Sequence, residues 1–120
     1  MIDKKPVSEK DKLIKKEMSK YKKIFKDIEE DKKPFAEKLY SRAAFMAVTL
    51  DELQEKVNSD GAVIECTNGN GFVTKSEHPA QKSFNTMIKN YNATIKSLID
   101  LIPTGSKEGD ELIDFISGKK

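Results

Sequence analysis

Apolar residues recur at helical spacing along three long stretches of the chain. The first runs through Ile14, Met18, Tyr21, Phe25 and Ile28 in steps of four and three, with Leu13 and Ile24 widening the stripe. Ser8 offers an N-cap hydroxyl, and Asp11 places a negative charge in the first turn. The pattern dissolves into the charged residues 29–33, and Pro34 cannot continue a helix. The spacing predicts a helix over about residues 9–32. The second stretch starts with Pro34 in its first turn and carries Phe35, Leu39, Ala43, Met46, Leu50, Leu53 and Val57. Tyr40, Ala44, Phe45, Ala47 and Val48 add a second apolar flank, as expected of a helix wedged between two neighbours. Asn58, Ser59, Asp60 and Gly61 end it.

The period then changes. Residues 62–67 and 72–75 are short β-prone runs on either side of Asn68-Gly69-Asn70-Gly71. Asn-Gly favours a hairpin turn because both residues tolerate positive φ. An isolated two-stranded hairpin is marginal in water, so it is expected to pack on a helix or a neighbouring subunit. Ser76-Glu77-His78-Pro79 reads as a helix entry. A third helical seam follows at Phe84, Ile88, Tyr91, Ile95, Leu98 and Ile102, flanked by Met87 and Ile99. It breaks at residues 103–106, and a last amphipathic piece sets Leu112, Ile113, Phe115 and Ile116 among Glu108, Asp110, Glu111 and Asp114.

The expected fold is therefore mainly α. A helical hairpin with a short β-hairpin connection is preceded by an N-terminal basic helix and followed by a short C-terminal helix. Three segments are expected: an arm over 1–33, an oligomerisation core over 34–103 and an acidic tail over 104–120. The 4–3 spacing at Phe35, Leu39, Ala43, Met46, Leu50 and Leu53, and at Phe84, Ile88, Tyr91, Ile95 and Leu98, suits self-association. A monomeric three-helix bundle uses the same pattern.

Charge sharpens this picture. Charged residues form 35% of the 120-residue chain, against roughly 25% in an ordinary domain, and the apolar set reaches only 37%. So thin a core favours elongated helices that bury their stripes against copies or a partner. The charge is also uneven: residues 1–34 hold 12 lysines against 8 carboxylates, although the whole chain is only +2. Lys4, Lys5, Lys10, Lys12, Lys15, Lys16, Lys20, Lys22, Lys23 and Lys26 are the candidate contacts to a polyanion. A solvated helix face gives the same composition. Arg42 is the single arginine, so contact with nucleic acid is expected at the backbone more than at base edges. Tyr21 and Phe25 interleave with these lysines as base-stacking residues could, but their seam positions favour burial.

Candidate chemistry is sparse. One histidine, His78, and one cysteine, Cys66, exclude a multi-His metal site and an internal disulfide. Nothing around His78 supplies a nucleophile and an orienting carboxylate, and it reads as a helix-entry residue. Cys66 reads as a small half-buried strand residue. The Asn-Gly-Asn-Gly run is not a phosphate loop. The paired carboxylates sit on polar faces, where solvation accounts for them. No apolar run is long enough to span a membrane, and residues 1–26 lack a secretory apolar segment. A non-enzymatic cytosolic protein without cofactor or metal is expected.

Residues 35–104 resemble the phage terminase small subunits. The resemblance rests on a helix ending at Gly61, a short connection containing Asn70-Gly71, and the entry Lys75-Ser76-Glu77-His78-Pro79-Ala80, in which His78 stands where the family tends to have asparagine. The long amphipathic helix closes on Leu98-Ile99-Asp100-Leu101-Ile102-Pro103-Thr104. It implies a homo-oligomeric ring that binds double-stranded viral DNA in the host cytoplasm and recruits a large subunit carrying ATPase and nuclease activity. Leu112, Ile113, Phe115 and Ile116 are the candidate large-subunit contacts, or equally a cap on the protein's own core. The alternative to this function is a helical protein-interaction or regulatory protein that does not bind DNA.

Overall fold

Local signals set most of the element boundaries. In a computed structural model that describes residues 8–103 and 105–118, helix α1 spans Glu9–Ile24, with the Ser8 hydroxyl accepting from the Asp11 amide at 3.1 Å. Helix α2 spans Lys33–Asp60 with Pro34 in its first turn, and it closes on Gly61 at φ 87°. Strands β1 (Val63–Thr67) and β2 (Val73–Glu77) form an antiparallel pair in which Glu65 lies opposite Lys75. Helix α3 spans Pro79–Asp100, and helix α4 spans Lys107–Ile116 behind a Ser106 cap.

The first helix is shorter than its periodicity predicts. It stops at Ile24, and the chain crosses residues 25–32 in turns closed by Ile28 N–H to Phe25 O and Lys32 N–H to Glu29 O. The chain must reverse here for α2 to run back along α1. Phe25 and Ile28 still reach the core, but from the turn: Phe25 is buried with its ring 6.0 Å from that of Tyr40. Tertiary packing has overridden the 4–3 spacing while keeping the same residues inside.

One buried cluster joins all four helices. Tyr21, Ile24 and Phe25 from the first segment meet Ala36, Tyr40, Ala43 and Ala44 of α2, Ile95 and Leu98 of α3, Ile102, and Leu112 of α4. Tyr21 is its centre: the ring stacks on Tyr40 at 5.7 Å and takes the Phe115 ring edge-on at 4.9 Å. Each such pair contributes about 0.5–1.5 kcal/mol beyond burial. Alanines at 36, 43 and 44 let the neighbouring backbones approach closely enough for those rings to interlock. The basic segment and the acidic tail are thus parts of one packed body with the helical hairpin.

The α2–α3 pair carries the β-hairpin at the end remote from the α1–α4 packing, within overall extents of 60 × 45 × 26 Å. Of the two packings expected for the hairpin, on a helix or on a neighbouring subunit, it does not take the first. Of its ten strand residues only Ile64 is half-buried, and Phe72 beside the turn is 68% exposed. Cys66 is likewise exposed rather than half-buried. The turn holds itself together locally. The Asn68 carboxamide oxygen accepts from the Asn70 and Phe72 amides at 2.9 and 3.1 Å, and Gly71 alone takes positive φ.

Candidate nucleic-acid interface

The buried face of α1 determines where its lysines go. Tyr21, Ile14 and Met18 turn inward, so the 3.6-residue period sends Lys12, Lys15, Lys16, Lys22 and Lys23 to the opposite side. All five are exposed, as is Lys26 in the following turn. Lys15 to Lys23 covers about 12 Å of helix axis.

The structure sorts the ten predicted lysines into three groups. Lys4 and Lys5 lie outside the described residues. Three others have partners within the protein. Lys10 pairs with Glu52 at 2.8 Å and lies over the Phe45 ring, Lys12 pairs with Glu9 at 3.3 Å, and Lys20 sits 5.3 Å from the Phe115 ring centre. Lys15, Lys16, Lys22, Lys23 and Lys26 form no ion pair among the described residues. Lys22 and Lys23 also occupy the last turn of α1, where positive charge offsets the helix dipole. Tyr21 and Phe25 are buried, so the lysine face offers no aromatic stacking platform from these two rings.

The predicted association seams are largely engaged inside the chain. Ala43, Leu50, Ile95 and Leu98 are buried, and Leu39, Met46, Leu53, Phe84, Ile88 and Tyr91 are half-buried, whereas Phe35 is exposed. In α4, Leu112 is fully buried and Phe115 and Ile116 pack against the core, leaving Ile113 as the exposed member of the four predicted contacts. The apolar side chains left facing solvent are instead Leu13, Phe35, Phe45, Val63, Phe72, Val73, Ile99 and Ile113, among the described residues.

His78 has a role that the spacing did not reveal. Its ring caps α3, with Nδ1 accepting from the Ala80 amide at 2.9 Å, while Nε2 donates to Asp60 Oδ2 at 2.9 Å. These two bonds define the Nε2–H tautomer. The side chain therefore ties the last residue of α2 to the first turn of α3 across the β-hairpin. Lys56 joins the same carboxylate at 3.1 Å. The bonds from His78 and Lys56 hold the Asp60 carboxyl below the usual value. The helix-entry context was legible in His78-Pro79, but nothing local marks Asp60, eighteen residues earlier, as its partner.

On the other side of α1, Glu17, Lys20 and Asp51 line an open groove of about 470 Å³ together with Tyr21, Tyr91, Leu50 and Phe115. Asp51 is exposed on the polar face of α2, and Glu17 is half-buried. Burial raises the Glu17 carboxyl above its ordinary value; Lys20 opposes that shift and Asp51 adds to it. Among the described residues, no three His, Cys, Asp or Glu side chains gather as a metal site, and no helix is long and apolar enough to cross a membrane. No family model, curated protein or solved structure matches the chain.

Proposed function

We propose that this protein is a non-enzymatic DNA-binding adaptor of the phage terminase small-subunit type, working in the cytoplasm of the infected cell. The observation that carries the reading is the solvent face of α1 and the turn after it, where Lys15, Lys16, Lys22, Lys23 and Lys26 stand without ion-pair partners among the described residues. Five lysines on a rigid, core-anchored surface suit phosphate contact. The scarcity of arginine on that surface suits binding that follows the backbone rather than the base sequence. Self-assembly into a ring multiplies these weak contacts by avidity. The large packaging subunit is recruited through the acidic outer face of α4 around Ile113, since the other apolar residues of that helix are engaged in the core.

The test is a titration of labelled duplex DNA by fluorescence anisotropy between low and moderate salt. If all five lysines reach phosphates, the logarithm of affinity falls with the logarithm of salt at a slope near −4.5 per protomer. Replacing Lys15→Glu together with Lys22→Glu lowers that slope by about 2 or more. Absent binding, or binding indifferent to salt and to this charge reversal, refutes the reading and leaves the helical protein-interaction alternative. Light scattering on a sizing column tests the ring separately: a single large assembly supports it, and a monomer or dimer at every concentration overturns it.

A further inference from the structure

Each strand of the hairpin has one bonded side and one open side. β1 and β2 form a sheet of two strands, and neither has a second neighbour among the described residues. At the two ends of the ladder, Asn68 N–H donates to Phe72 O and His78 N–H to Ala62 O, both at 2.8 Å. Bonded pairs recur at every second residue of an antiparallel ladder, so the even-numbered residues face across the hairpin. The amides and carbonyls of Val63, Glu65 and Thr67 on β1, and of Val73, Lys75 and Glu77 on β2, therefore point to the open edges. All of these residues are exposed. The strands pair in unbroken register, with no proline and no bulge to blunt either edge.

The register of these edges selects the occupant. Where a strand adds to an edge, outward-facing residues must oppose outward-facing residues. Laying β2 of one copy antiparallel on β1 of another, fully overlapped, repeats the hairpin's own partners: Val63 with Glu77, Glu65 with Lys75, Thr67 with Val73. Each of these pairs exchanges two backbone hydrogen bonds, about six per contact. Their side chains share one face of the sheet. Glu65 then lies between two lysines, its own Lys75 and the Lys75 of the next copy. The two-fold alternatives carry the opposite sign. Fully overlapped on itself, β1 sets Glu65 against Glu65, and β2 sets Lys75 against Lys75. Like charges directly opposite are destabilising, and opposite charges stabilise. The exposed Val63 and Val73 side chains also gain cross-strand neighbours in the extended sheet.

We propose that the β-hairpin is a head-to-tail contact between copies of this chain, in which β2 of one copy adds to β1 of the next. A heterologous contact of this kind generates a ring when its rotation closes. The proposal rests on the ring in the functional reading and names the contact that builds it; the lysine face of α1 takes no part.

The experiment compares the full chain with Glu65→Lys, with Lys75→Glu and with an equimolar mixture of the two variants, by sedimentation velocity over a concentration series. Either variant alone sets like charges together at the contact and weakens it by about tenfold. In the mixture, alternating copies of the two variants restore opposite charges between chains, although neither hairpin regains its own Glu–Lys pair. The expected result is assembly of the mixture close to the concentration that the unaltered chain needs, with each variant alone requiring about tenfold more. Slow exchange of the Cys66 and Thr74 amides, which face across the hairpin, confirms that each variant keeps it. A second readout uses the unaltered chain: the Glu65 and Lys75 amides exchange slowly in the assembly and fast after dilution to single chains. Variants that assemble as the unaltered chain does, a mixture that assembles no better than its folded components, or Glu65 and Lys75 amides that stay fast in the assembly overturn the hairpin contact and leave the ring standing. A monomer or closed dimer of the unaltered chain at every concentration overturns the ring and the contact together.

Discussion

Leu112→Ala decides whether α4 belongs to the folding unit. Leu112 is 0% exposed and sits in the cluster that joins all four helices, one position before Ile113, which is 51% exposed. Truncating a fully buried leucine costs about 2–5 kcal/mol, the spread reflecting how far the site can collapse. Here Leu112 borders a groove of about 260 Å³ lined by Ile99, Ile102 and Gly109, so part of the lost contact is open to relaxation or to water. That places the expected cost in the lower half, about 3 kcal/mol. A chain of this size with a urea m-value of about 1.5 kcal/mol per molar then loses about 2 M in its unfolding midpoint. Ile113→Ala, at an exposed helical position, is expected to move it by no more than about 0.5 kcal/mol. The assay is equilibrium urea unfolding followed at 222 nm, repeated on the near-ultraviolet signal of the tyrosines, because Phe115 of α4 packs edge-on against Tyr21. Coincident transitions by both probes, with only Leu112→Ala displaced, show α4 folding with the core. Equal and small shifts for the two variants would mean that α4 detaches freely, and the reasoning from its burial would be wrong.

Two further outcomes follow from the connection between α2 and α3. His78→Ala removes both the α3 cap and the Asp60 bond and is expected to cost about 1–2 kcal/mol, whereas His78→Asn keeps a capping oxygen and recovers most of it; thermal or urea unfolding of the two variants reads the difference. Because Asp60 is held below its ordinary 3.8, its contribution is fully present above that value and fades as the pH falls through the lowered one. An acid titration of stability should therefore show a loss below pH 3.8 that is diminished in Asp60→Asn. Gly61 closes α2 at φ 87° and ψ 156°, a region only glycine adopts readily. An added Cβ would meet the Val63 carbonyl oxygen at an ordinary 3.7 Å, so Gly61→Ala meets no clash but carries about 1–3 kcal/mol of backbone strain. A stability change near zero in that variant would contradict the positive-φ cap.

The residues that start and stop the helices were legible because their chemistry is local. Ser8 caps the amide three residues away, Pro34 accepts a place in a first turn, Gly61 takes a positive φ, and His78-Pro79 opens α3. The hairpin was legible for the same reason, since Asn68 and Gly71 close the turn within five residues. The inward faces of α1 and α3 followed from their spacing, and with them the outward lysines of α1.

What the tertiary structure alone decided is which surfaces meet. An apolar stripe records that it must be buried, not against what, because the hydrophobic effect is non-directional. The 4–3 seams were equally compatible with neighbouring copies, and only the packing showed Leu98, Ala43 and Tyr21 closing on one another within a single chain. The same packing ended α1 at Ile24, left the β-hairpin standing in solvent, and drew Leu112 inward. It also set Glu17 beside Asp51 and Asp60 beside His78, pairs separated by 34 and 18 positions in sequence. No local rule connects residues that far apart; their encounter depends on how α1, α2 and α3 cross, and that is fixed by the interlocking of rings and alanines in the shared core.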